Sequence, residues 1–154
     1  MSLWNKLFGG PARAEQIDYY EEGLALAQEG KHHEALTSLR LALRESPGDP
    51  IVLQQIAIAY TRIGMEAEAI KTYRHVLHRY PEEPGAHYGL AFVLLRRGES
   101  DQAAEHLEHF LASHPTDEES QAHVDYARRT LGELQGADED GEAQPEADAS
   151  AHGG

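Results

Sequence analysis

The chain has 154 residues, 40% of them apolar and 26% charged, no cysteine, and a formal net charge of −14 with histidine neutral. This is room for one ordinary domain with a packed core; it excludes disulfides, thiolate metal sites and cysteine nucleophiles, and no apolar run reaches the ~20 residues that cross a bilayer. Six of the 27 acids lie after position 135, leaving 21 against 13 bases (−8) before it, and a body of that sign without a basic cluster repels phosphate backbones, so no nucleic-acid partner is expected.

The chain opens with MSLWNKLFGG. One lysine and no long apolar stretch do not make a secretory signal, and a cytoplasmic setting is expected. Leu3, Trp4, Leu7 and Phe8 fall on one helical face, and Gly9, Gly10 and Pro11 then break the helix. Three readings of residues 1–10 stay open. The segment docks on its own first hairpin or groove; it docks on another protein, a second copy included; or it lies on a membrane with Trp4 and Phe8 inserted and Lys6 near the headgroups. Against the membrane stand its shortness, its one base and the acidic body.

From residue 16 the sequence repeats. Gly30, Gly64 and Gly98 are 34 residues apart, and so are Ala35, Ala69 and Ala103, Leu43, Leu77 and Leu111, and Pro47, Pro81 and Pro115. Four independent positions keep one period with no insertion. Each has a physical reason. The glycines end a first helix where a left-handed backbone is needed, and the prolines stop a second helix. Asp49 and Asp117 are N-caps, with Pro50 and Pro84 at a first helical position. Gly23, Ala57 and Ala91, with the alanines at 35, 69 and 103, mark close helix crossings. The predicted core between them is Tyr19, Leu39, Leu43, Leu53, Ile56, Tyr60, Ile70, Tyr73, Leu77, Leu90, Leu94, Leu107 and Leu111.

The period and residue types resemble the tetratricopeptide repeat, with copies at 16–49, 50–83 and 84–117. The resemblance implies an all-α fold: an α-solenoid of three tandem helical hairpins with a concave face lined by the first helix of each. Copy three departs from the pattern at Phe110, where the family prefers a small side chain and the first two copies have Ala42 and Val76. Residues 118–135 predict a capping helix with Val124, Ala127, Leu131 and Leu134 on one side and Arg128 and Arg129 outward. Residues 136–154 are acidic, without aromatics, and predict a disordered tail.

The resemblance also places ligand-facing positions on the first helices. They are Ile17, Tyr20, Glu21, Leu24 and Gln28 in the first copy, Ile51, Gln54, Gln55, Ile58 and Arg62 in the second, and Tyr88, Phe92, Leu95 and Arg96 in the third. It implies an adaptor or scaffold that binds a protein or peptide partner there, with Arg62 and Arg96 able to pair an acidic group. The competing reading is that Leu24, Ile58 and Phe92 only help the core between hairpins. Some relatives grip a chaperone's carboxyl terminus with a lysine, asparagine and arginine clamp. The matching positions here, Tyr20, Leu24, Gln55, Gly85 and Gly89, carry no base, so that clamp is not expected.

The ten histidines include two i, i+3 pairs, His75 with His78 and His106 with His109. No cysteine accompanies them and zinc takes about four convergent ligands, so no metal is expected; sensitivity to pH between about 5 and 7 is. There is no phosphate loop, HExxH or GxSxG, and Ser38, Ser46, Ser100, Ser113 and Ser120 have no recognisable base. Neither catalysis nor a cofactor is expected.

Overall fold

The structure, a computed structural model, describes residues 16–113 and 116–142, with side chains to 137. Leu3, Trp4, Leu7 and Phe8, Pro115, and the tail after 142 lie outside the described residues. Among the described residues the chain forms helices and no strand: α1 (Tyr19–Gln28), α2 (His32–Glu45), α3 (Pro50–Ile63), α4 (Glu66–Arg79), α5 (Pro84–Arg96), α6 (Ser100–Ala112) and α7 (Glu118–Glu142).

The helix ends follow from their residues. Asp49 accepts from the N–H groups of Ile51 (2.9 Å) and Val52 (3.3 Å), and Pro50 begins α3, where its missing N–H leaves no gap. Pro84 opens α5 in the same way, without a side-chain cap before it. Asp117 accepts from both the N–H and the hydroxyl of Ser120 at 2.7 Å and starts α7. Gly30, Gly64 and Gly98 have φ of 79°, 90° and 76°. The residue after each, Lys31, Met65 or Glu99, donates its N–H five residues back, to the carbonyl of Leu26, Tyr60 or Leu94, each at 2.9 Å. The same closure is thus repeated at each first-helix end, and only a residue without Cβ adopts that φ freely.

Chain contacts divide the molecule into two compact units, 1–69 and 70–154, with the division inside α4. In the first, α2 packs on α1 and on α3 around Ala35, Leu36, Leu39, Leu53, Ile56 and Ala57, all buried. A Cβ on Gly23 would stand 2.8 Å from Leu39 Cγ, so α1 and α2 cross at this distance only because position 23 has none. Arg40 of α2 donates to the Tyr60 hydroxyl at 2.6 Å, with its guanidinium 5.7 Å from the ring centroid. In the second unit, α6 packs between α5 and α7. Phe110 is buried with Ala91, Leu107, Val124 and Ala127, and Leu131 and Leu134 pack partly against them. The apolar side of α7 therefore covers the bulky residue at which the third copy departs from the repeat.

Two expectations need correction. Leu43, Leu77 and Leu111 are half-buried rather than core, as is Tyr19. The three leucines share one repeat position in the last turn of α2, α4 and α6, and Tyr19 is the first residue of α1; helix ends overhang the crossings and keep one side in water. The last helix does not stop at 135 but continues to Glu142, so residues 136–142 are helical rather than tail. Gly136 costs about 1 kcal/mol relative to alanine but does not break a helix, and no proline lies between Pro115 and Pro145.

Candidate protein-interaction site

In the first unit, Ile17 is 55% exposed and Ile51, one period later, 58%. Tyr20, Leu24, Gln54 and Gln55 are half-buried, Gln28 and Arg62 exposed, and Ile58 is 39% exposed. Gln54 is turned back on its own helix, donating to the Pro50 carbonyl at 3.0 Å. Burial pushes the Tyr20 hydroxyl up from its ordinary pKa, with Glu21 and Asp49 adding to the shift, so it stays a neutral donor at all ordinary pH.

Between α1 and α3 a cavity of about 510 Å³ opens. Leu24, Gln28, Gln55, Ile58 and Arg62 share its wall; Ile17, Tyr20 and Gln54 do not. His32, at the start of α2, lines it too. Its Nδ1 is shielded from water and has no hydrogen-bond partner among the described residues. Sequence reasoning missed His32, since nothing in the pattern distinguishes it from His33 beside it.

In the second unit Phe92 is 40% exposed, while Leu95 is half-buried and Arg96 exposed. Tyr88 is drawn inward, with its ring centroid 5.1 Å from Phe110, 4.7 Å from His123 and 6.2 Å from Tyr126. Burial first, and then Tyr126, raise its pKa.

A histidine cluster lies on the other side of α5. His87 is 5% exposed. Its Nε2 lies 2.7 Å from the Pro81 carbonyl and its Nδ1 3.0 Å from His106 Nδ1. A carbonyl only accepts, so Nε2 of His87 carries the proton, Nδ1 accepts, and His106 donates. His109 stacks on His87 at 4.7 Å, with the planes 10° apart. Burial, then His87, His109 and Arg74, push His106 down to about 4. Burial also lowers His87, against the raising effect of the Pro81 bond, Glu82 and Glu83. Among the described residues no three such side chains converge as metal ligands. The sequence pairs His106 with His109 but gives no sign of His87, which comes from the facing helix; His75 and His78, the other pair, are exposed.

The family model for the tetratricopeptide repeat matches residues 64–124. The chain belongs to the tetratricopeptide-repeat family. A second model, the bacterial transcriptional activator domain, matches residues 12–89. No curated protein sequence matches the chain. Among solved structures, this tetratricopeptide-repeat chain is similar to the type III secretion chaperone SycD of Yersinia enterocolitica in complex with a peptide of the translocator YopD. The TM-score is 0.72 at 18% identity, covering 78% of this chain and 92% of that one. It is similar to MamA (41 to end) of Desulfovibrio magneticus RS-1, with TM-score 0.67 and 28% identity over 80% of this chain and 66% of that one. The first TPR of Spaghetti (RPAP3), bound to the HSP90 peptide SRMEEVD, gives TM-score 0.67 and 19% identity over 77% and 91%. The fold class is thus all-α, a helical-repeat solenoid.

Proposed function

We propose that the protein is an adaptor that binds a polypeptide segment of a partner protein on the faces of its first helices. The observation that carries this reading is the exposure of Ile58 and Phe92, 39% and 40%, at one repeat position of two successive first helices. Apolar side chains recurring on a solvated face mark a contact surface. Residues with Ile58 in the cavity wall, Leu24, Gln28, Gln55 and Arg62, extend the face in the first unit. Tyr20, Ile51 and Gln54 lie on the same two helices, Ile17 just before α1, and Tyr88 and Arg96 flank Phe92 on α5. The peptide complexes of SycD and Spaghetti support a peptide-binding role for the fold. The absence of a base at Tyr20, Leu24, Gln55, Gly85 and Gly89 argues for side-chain recognition instead of a clamp on a chain terminus.

Cytoplasmic residence and a non-catalytic role belong to the same proposal. The net charge of −14 sets it against direct contact with nucleic acid. A part in transcription, which the name of the second family model raises, would therefore run through protein contacts. Among the described residues no helix is long and apolar enough to cross a membrane.

The test is a crosslinked pull-down from the native host with wild type, Ile58→Asp, Phe92→Asp and, as a control on an exposed second-helix position, Lys71→Ala. A partner held by wild type and Lys71→Ala and lost by both aspartate variants is expected. Identical capture by all four, with helix content unchanged, overturns the proposal.

A further inference from the structure

The cavity of the first unit joins two chemistries. Leu24 and Ile58 give it an apolar wall, and Arg62 stands one turn beyond Ile58 on α3. Among the described residues Arg62 makes no hydrogen bond or ion pair, and no Asp or Glu lines the cavity, although the chain holds 27 acids against 13 bases. Exposed, that guanidinium is hydrated. A segment that covers Leu24 and Ile58 strips water from the cation beside them, and a desolvated charge is costly unless an opposite charge meets it. A polypeptide that fills the cavity must therefore bring a carboxylate of its own, the group a guanidinium takes in bidentate fashion.

Spacing narrows the segment further. From Ile58 to Arg62 the helix rises about 6 Å, close to the ~6.7 Å between side chains two positions apart on one side of an extended chain. Gln28 and Gln55, also in the wall, each carry an amide that both donates and accepts, which is what the backbone of an extended segment needs. Toward the start of α1 the sign reverses. The Tyr20 hydroxyl feels the charges of Glu21 and Asp49, and these repel a further carboxylate. The acid of the segment thus has one place on this face, at Arg62.

We propose that this cavity binds an extended internal segment of a partner protein in which a bulky apolar residue and an Asp or Glu stand two positions apart, with the apolar side chain on Leu24 and Ile58 and the carboxylate on the Arg62 guanidinium. This rests on reading the first-helix faces as the docking surface and names the chemistry of what docks in the first unit. Apolar burial supplies the affinity and the ion pair the selection, because an apolar segment without an acid leaves the guanidinium desolvated and unpaired.

The test pans a phage-displayed library of random peptides on the whole chain and measures the enriched peptides by fluorescence anisotropy. Enriched sequences are expected to share an Asp or Glu two positions from a Leu, Ile, Met or Phe, and replacing that acid by its amide should weaken binding about fivefold. Arg62→Glu should cancel or reverse the preference for an acid. Lys71→Glu, a like change of charge at an exposed second-helix position, should leave it intact, and Ile58→Asp should lose the peptides, with far-UV circular dichroism unchanged throughout. Should Arg62→Glu lose helix, Arg62→Gln carries the test by making the acid and amide peptides bind alike. Peptides without a preference for an acid overturn the proposal, as does a preference that survives Arg62→Glu or falls equally with Lys71→Glu. If such peptides are still lost on Ile58→Asp, the adaptor function stands. No enrichment overturns the proposal alone where the pull-down loses its partner on Ile58→Asp, and the adaptor function with it where no partner is lost.

Discussion

Gly89 of α5 faces Tyr73 of α4, and a Cβ there would run into the ring's hydroxyl end. Tyr73 is 2% exposed and has no space to retreat, so Gly89→Ala should destabilise the protein by roughly 1–3 kcal/mol through overpacking. Gly132 in α7 has nothing within 4 Å of the same ideal position, so Gly132→Ala should instead stabilise α7 by about 0.5–1 kcal/mol through backbone entropy. Urea midpoints of the two variants check both signs, and the same sign for both would refute the packing described for Gly89. At this scale the sequence is informative where a residue acts on its own backbone. Gly64 and Asp49 announce a left-handed turn and a cap whatever surrounds them. Gly89 and His32 act through what another helix brings to them, and that cannot be seen in one line of letters.

Individual helices depend on pairs of residues far apart in the chain. The His87 and His106 rings join α5 to α6, and His87 also holds the turn before α5 through the Pro81 carbonyl. His106 is depressed to about 4, while in the unfolded chain it titrates near 6.5. Between those values the unfolded chain takes up a proton that the folded chain refuses. Stability is therefore full above about pH 6.5, falls as pH drops toward 4, and levels off below that. The full shift converts to about 3 kcal/mol; the ring is partly solvated, so about 1–2 kcal/mol is the realistic size. His106→Asn should remove that part of the slope in urea unfolding between pH 7 and 4.5, and an unchanged slope would show that the ring carries no such linkage. The number of histidines predicts pH sensitivity but does not say which rings meet. Likewise it told which face of α7 would be covered, at Val124 and Ala127, but not where the helix ends. Burial follows periodicity, whereas an exposed helix end rests on the small difference between acidic, glycine-containing helix and coil.

At the scale of the molecule, repetition made the fold legible: the period of 34 residues in Gly30, Gly64 and Gly98 reappears as one backbone closure made three times. The proposed binding face is less legible. Apolar residues on first helices read equally well as core or as contact until exposure separates Ile58 and Phe92 from buried Ile56 and Leu90. Hairpins hide their other apolar sides against neighbours, and these two stay exposed, where we propose that a partner docks. Amide hydrogen exchange of the protein with and without the partner captured by wild type tests this most directly. Added protection should fall on α3 and α5, with α4 and α6 unchanged; protection confined to α4 and α6, or none on any helix, would contradict binding on the first-helix faces.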